Sequence, residues 1–277
     1  MLKTRIITAV LLLAVLLPVL FSQSFPAFAV VVLLFFGAAI WESARLFNNP
    51  QPLLIAVVWA AVFGYTFLLR GESTSEFLWL GLSAAFWVTR FTPSLKFGLP
   101  PKEGVANTMF GILYAIALVG CFIAIIALFR HSAVYLLSVM ALVWVADIGA
   151  YFSGKAFGKR KLAPTISPGK SWEGAIGGAI AVLVLAVLSV LAAPSVPWLQ
   201  DTFAYDLQAQ RGWPLTLLVL VLLCAASVIG DLFESQLKRR AGFKDSSNLL
   251  PGHGGVLDRI DALVPVLPVA ALIAAWL

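Results

Sequence analysis

Nine stretches of apolar residues, none interrupted by more than an isolated polar side chain, dominate this 277-residue chain and leave it few ways to fold. They cover residues 6–21, 25–41, 52–69, 77–88, 108–129, 132–152, 174–193, 214–233 and 262–277. An apolar helix of about 20 residues spans the hydrocarbon core of a bilayer. Inside that core every backbone N–H and C=O must be satisfied within the segment, which selects helices. Composition agrees: 61% of residues are hydrophobic and 12% charged, and the mean hydropathy is +0.97. Soluble domains have roughly 45–50% and about 25%. A soluble enzyme, a disordered chain and a conventional nucleic-acid binder are thereby excluded. The expected fold is an all-α polytopic integral membrane protein with about nine transmembrane helices, the fourth being the shortest. About five spans fall in an N-terminal region, 1–130, and the chemistry-bearing segments fall in 131–277. Cys121 and Cys224 both lie inside apolar runs with no His or second Cys at ligand spacing, so they read as packing residues.

The charges orient the helices. Lys3 and Arg5 precede the first run, and Ala27-Phe28-Ala29 resembles a signal-peptidase triplet, but that triplet opens the next apolar run, so cleavage is not expected. With the N-terminus in the cytoplasm, sixteen of the 19 lysines and arginines fall on the cytoplasmic side; Arg70, Arg130 and Arg211 fall outside. The net charge of +6 therefore reflects topology first. Ten of the sixteen lie in two cytoplasmic loops, 154–173 and 238–261, which are rich in Gly, Ser and Pro and long enough to be functional.

Three segments carry the chemistry. At the end of the eighth run, Asp231, Ser235 and Lys238 are spaced by four and three, so a carboxylate, a hydroxyl and an ammonium share one helix face. Such a stack at a membrane border can hold a metal and a phosphate; a helix end with a surface ion pair has the same pattern. Next comes Lys244-Asp245, followed by Pro251-Gly252-His253-Gly254-Gly255 and then Asp258-Arg259-Ile260-Asp261. Glycines let backbone N–H groups approach an anion, and acids at a helix start can cap it or bind a cation. His253 reads as a positioning hydrogen-bonder, having no second histidine beside it. The third segment runs from Asp147, an acid within an apolar span, through Lys155, Lys159, Ser167 and Lys170 to Gly174. An acid at mid-span costs about 2.5–3.5 kcal/mol on insertion scales, which argues for a polar cavity or partner. The basic loop after it fits a phosphate cradle and equally a lipid-headgroup contact. It is not a Walker loop, because Gly169-Lys170-Ser171 lacks the upstream glycine and strand.

Taken together, the run from Ser235 through Lys238-Arg239, Lys244-Asp245, Pro251 to Gly255 and Asp258 to Asp261 resembles the signature of the phosphatidate cytidylyltransferase (CDP-diacylglycerol synthase) family without a mismatch. The resemblance extends upstream through Ser167-Pro168 to Gly174; the N-terminal half is similar in hydropathy and in its first five residues. It implies the reaction CTP plus phosphatidate to CDP-diacylglycerol plus pyrophosphate, run at the cytoplasmic face of a bacterial inner membrane. It also implies magnesium, with potassium as a second cation, held by Asp231 and Asp258. Ser235 and Lys238 would then bind phosphate or metal, and Asp245 would be an ion-pair partner or third ligand. Lys155, Lys159, Ser167, Lys170, Arg239, Lys244, His253, Gly254, Gly255 and Arg259 would bind substrate, and Asp261 would orient a neighbouring ligand. The implied partners are CTP, phosphatidate, the bilayer and a second copy of the chain in a homodimer, with no nucleic acid. A transporter would show internal repeats, and a phosphotransferase using CDP-alcohols would show Asp-x-x-Asp-Gly-x-x-Ala-Arg; neither occurs here.

The charge split makes topology testable. Reporters fused after Lys161 and after Lys244 are expected in the cytoplasm, and one fused after Asp206 outside. An extracytoplasmic signal from either basic loop would overturn the orientation.

Overall fold

In the computed structural model, residues 2–22, 24–69 and 75–277 are described. Arg70, one of the three cations assigned to the outer face, lies outside the described residues, as does the side chain of Lys3. The chain forms two compact units, Met1–Ile123 with Glu234–Asp261, and Ala124–Phe233 with Ala262–Leu277. Among the described residues seven helices are long and apolar enough to cross a membrane, and the fold is that of an all-α membrane protein.

The first unit begins with α1 (Leu2–Phe21), α2 (Phe25–Leu46) and α3 (Pro52–Phe63). Ser24 starts α2 by accepting from the Ala27 N–H at 3.4 Å, with a proline in the first turn. The short fourth apolar run extends further as a helix than its hydropathy indicates. α4 (Glu76–Phe86) passes through a π-helical stretch, Trp87–Phe91, into α5 (Thr92–Phe97). The cause is local: Pro93 has no N–H to give, and the Thr92 hydroxyl bonds back to the Trp87 carbonyl at 2.7 Å. The unit also holds the first part of α6 (Val105–His131). Its core is aromatic. Phe36 stacks on Phe63 at 4.4 Å and meets Phe122 edge-on at 5.3 Å, while Phe91 packs on Trp87, Phe110 and Tyr114 within 5.6 Å. By contrast Leu34 and Leu53 are each 67% exposed, as lipid-facing side chains should be.

The second unit is built on α7 (Ala133–Phe157) and α8 (Trp172–Ala192), each started by a serine cap, Ser132 and Ser171. Between them the chain forms an antiparallel hairpin, β1 (Lys161–Ala163) and β2 (Ser167–Ser171). This corrects the reading of 154–173 as one loop. α7 continues to Phe157, and the connection is partly ordered as strands because Glu173 accepts from the N–H groups of Lys159 and Arg160 at 3.0 and 3.1 Å and pairs with the Arg160 guanidinium at 3.2 Å. The remaining helices are α9 (Phe203–Ala241), which carries the chain into the first unit, α10 (Leu257–Ile260) in that unit, and α11 (Leu263–Ala274). α9 is two helices joined end to end, since Gly212 has φ 75° and Pro214 follows it. The expected loop 238–261 is shorter than its charges suggest, because α9 runs on to Ala241. Gly242 then ends it at φ 87°, with Phe243 N–H bonding to the Lys238 carbonyl at 2.9 Å.

Small residues hold α7 against α8. In a lipid environment, helix pairs associate through close van der Waals packing, which small side chains permit. A Cβ on Gly149 would stand 2.8 Å from the Ala181 Cβ, one on Gly174 2.9 Å from the Ala150 carbonyl oxygen, and one on Gly178 would strike the Ala146 carbonyl. Overpacking of this kind costs about 1–3 kcal/mol. Gly178→Ala is therefore expected to lower the thermal midpoint in detergent, by an amount matching that range. A wild-type midpoint would show that the two backbones do not meet there.

Candidate active site

In the second unit a cavity of about 600 Å³ lies where the hairpin, α7, α8 and α9 meet. Its lining includes Asp147, Gly154, Lys155, Gly169, Lys170, Gly174 and Asp231, all in segments nominated from the sequence. The Lys170 ammonium forms an ion pair with Asp231, and both side chains are about one-third exposed or less. Asp147, expected to have a polar cavity or partner, lines the same cavity as Lys155, Lys170 and Asp231. Lys159 and Ser167 are not among the lining residues. Lys159 gives its backbone N–H to Glu173, and Ser167 pairs with Ala163 across the hairpin. Gly158 is also structural, since a Cβ there would strike the Gly154 carbonyl.

The first unit holds a charged centre and a second polar cavity. Lys238 lies between Glu234, at 3.1 Å, and Asp258, at 2.5 Å. The Glu234 side chain is fully buried and that of Asp258 is 5% exposed. The Asp258 Oδ2 accepts from the Gly255 N–H at 2.7 Å, the Ser246 N–H at 2.8 Å and the Ser246 hydroxyl at 2.9 Å. Burial pushes the Asp258 carboxyl up, but the Lys238 ammonium and the two backbone amides more than offset this and hold it below the usual carboxylate range. Gly254, at φ 81°, packs so close that a Cβ would stand 2.6 Å from Oδ2. Lys244, Asp245, His253, Gly254 and Arg259 line the cavity beside this centre, about 610 Å³ in volume, together with Thr4 and Arg5. The His253 Nδ1 is buried there with no hydrogen-bond partner among the described residues. Arg239 stands apart, donating to the Phe243 carbonyl at 3.2 Å. Ser235 lies on α9, one turn before Arg239.

Three contributors escaped the sequence reading. Glu42, fully buried on α2, faces four donors from residues 246–257, one of them the Ser246 hydroxyl, whose single proton it shares with Asp258. Its signal was available, as the only acid in the second apolar segment, but it sits just past the run ending at Trp41. From sequence, Arg5 bears on topology and on the likeness of the first five residues, and Glu234 reads as part of a helix end.

The two candidate metal ligands differ in what they offer a hard divalent cation: Asp231 lines the second unit's cavity, whereas both oxygens of Asp258 already have donors, Oδ1 the Lys238 ammonium and Oδ2 the Ser246 and Gly255 groups. Asp231 and Asp258 offer carboxylate oxygens, and each already carries an ammonium as counter-cation. Among the described residues no cluster of three or more His, Cys, Asp or Glu is arranged to hold a metal ion.

Residues 3–277 match the family model described as the cytidylyltransferase family. The chain belongs to that family. It is 40% identical to the phosphatidate cytidylyltransferase of Pseudomonas aeruginosa, over 100% of this chain and 99% of that one. The corresponding enzyme of Haemophilus influenzae is 37% identical over 97% and 96%. That of Bacillus subtilis is 32% identical over 96% and 95%. The likeness thus covers the N-terminal helices as well as the C-terminal loops, a wider extent than the motif resemblance alone provided.

The charged centre is open to a stability test. Removing one partner of a buried ion pair leaves an uncompensated charge and costs about 3–5 kcal/mol. Lys238→Met strands both Glu234 and Asp258 and is expected to destabilise the protein by that order, read from unfolding in detergent. A loss below about 1 kcal/mol would show that the three groups are not interdependent.

Proposed function

We propose that this membrane enzyme transfers the cytidylyl group of CTP to phosphatidate, giving CDP-diacylglycerol and pyrophosphate. The observation that carries the reading is the second unit's cavity, where segments far apart in sequence bring Lys155, Lys170, Asp147 and Asp231 together. Relatives named for this activity, similar over nearly their whole length, support it.

In the reaction a phosphate oxygen of phosphatidate attacks the α-phosphorus of CTP. The new P–O bond forms as the bond to the β-phosphate oxygen breaks, and the electron pair leaves with pyrophosphate. Both reactants are polyanions, so their approach needs fixed positive charge. Lys155 and Lys170 provide it at one cavity; Lys244 and Arg259, beside the glycine turn, provide it at the other. Preorganised cations lower such a barrier by positioning the reactants and neutralising charge on the leaving group. Asp231 and Asp258 are the residues assigned to magnesium, with potassium as second cation. When bound, the metal supplies Lewis-acid stabilisation of the phosphate oxygens. Ser235 and Lys238 are assigned to phosphate or metal, and the His253 Nδ1 is available for a polar ligand. The same reading includes nine spans, a cytoplasmic N-terminus and active face, a bacterial inner-membrane location and a homodimer. The bias of lysine and arginine towards one set of loops supports the orientation.

Asp→Asn keeps size but removes the charge a hard cation needs. Asp231→Asn and Asp258→Asn are each expected to reduce magnesium-dependent CDP-diacylglycerol formation at least 100-fold, on the order typical of groups acting on the transition state. Substantial turnover by Asp258→Asn at saturating magnesium would reduce that acid to a helix cap.

A further inference from the structure

The glycine-rich loop, residues 242–256, contains no regular secondary structure beyond an isolated bridge between Leu250 and Gly254. Something outside it must set its shape. Glu42 is the conspicuous candidate. Its side chain is fully buried on α2. One carboxylate oxygen, Oε1, accepts from the Ser247 hydroxyl at 2.5 Å and the Val256 N–H at 3.0 Å. The other, Oε2, accepts from the Leu257 N–H at 2.7 Å and the Ser246 hydroxyl at 3.1 Å. Two of these donors lie in the first half of the loop and two at its junction with α10, so one carboxylate ties these two parts together. The Val256 and Leu257 amides also open α10, where the first N–H groups of a helix lack internal partners and favour an anion.

The contact leads directly to Asp258. The Ser246 hydroxyl lies within bonding distance of both Glu42 and Asp258, and Asp258 further accepts from the Ser246 and Gly255 amides. Gly255 is squeezed between them: a Cβ there would collide with the Ser246 hydroxyl and the Glu42 Oε1. The glycine at 255 is thus explained by Glu42 rather than by an anion approaching the backbone.

We propose that Glu42 is a positioning residue, which locks the glycine-rich loop and so fixes where Asp258 and its neighbours stand for the reaction. The proposal rests on the activity proposed above. Glu42 touches no reacting atom, and its effect is carried through Ser246, Val256 and Leu257. Only a carboxylate fits. A glutamine has one acceptor oxygen and would turn an N–H₂ group towards two donors, which costs more than a missing bond because the donors are then buried unpaired.

Two measurements on the full-length protein in detergent test this. Hydrogen–deuterium exchange of the segment 244–260 should speed up at least 10-fold in Glu42→Gln, with α7 and α8 unchanged. Kinetics should show kcat falling at least 10-fold while the KM for CTP stays within about 3-fold. Ser247→Ala removes one of the four bonds without touching α2, and is expected to give a smaller change of the same kind. Combined with Glu42→Gln it should add little, as expected for residues in one network. Wild-type exchange and kcat in Glu42→Gln would overturn the proposal, as would strictly additive effects in the double variant. If Glu42→Gln fails to fold, Ser247→Ala decides: unchanged exchange at Val256 and Leu257 would be fatal to the idea. An inactive wild type with the exchange pattern as expected would instead overturn the proposed activity and leave the loop assignment standing.

Discussion

A chain this apolar can keep a charge inside only by surrounding it, and the Glu234–Lys238–Asp258 arrangement shows what that requires. Two acids flank one ammonium, and the second acid is saturated by three further donors. None of these groups is tolerable alone at such burial, because an unpaired buried ion costs several kcal/mol. The length of α9 beyond its apolar stretch, the turn at Gly254 and the acid at the start of α10 are all parts of this one charge cluster. In the proposed reading, Lys238 and Asp258, the residues assigned to phosphate and metal, are also ones whose ion pair helps hold their unit together.

The second unit solves the complementary problem. Its helices approach through glycine, so the α7–α8 contact leaves few side chains between the backbones, and the polar residues gather at one end. There the hairpin is fastened by Glu173 and Ser171, which turns Lys170 towards Asp231. A basic loop that could have been a loose headgroup contact is in this way a fixed wall of a cavity, as a phosphate site demands.

Much of this was legible in the sequence, and the reasons for the gaps are physical. Hydropathy over 18 to 22 residues locates the long helices, since nothing else can satisfy the backbone in lipid. The cations Lys155 and Lys170 and the acids Asp147 and Asp231 could be nominated because charges in an apolar chain are rare. The ends of elements were less legible. Thr92 and Pro93 continue a helix through a π-helical stretch, and the i,i+4 pair of Glu234 and Lys238 extends α9 into what reads as a loop. The hairpin is invisible to periodicity because its strands are only three and five residues long. Glu42 was missed because its partners are about 200 residues away in sequence; a long-range hydrogen bond leaves no local pattern.

That separation matters during synthesis. α2 emerges early, whereas Ser246 lies 204 residues later and Leu257 lies 215 residues after Glu42. At about 5–20 residues per second, translation takes roughly 10–40 s to deliver the partners. Throughout that interval the nascent helix carries an acid near its C-terminal end with none of its final donors. The first half of the molecule is thus inserted in an unfinished state, and the glycine-rich loop, made near the end, closes it. A ribosome that stops just before Ser246 would release a chain with all seven long apolar helices made but with none of these donors for the α2 carboxylate.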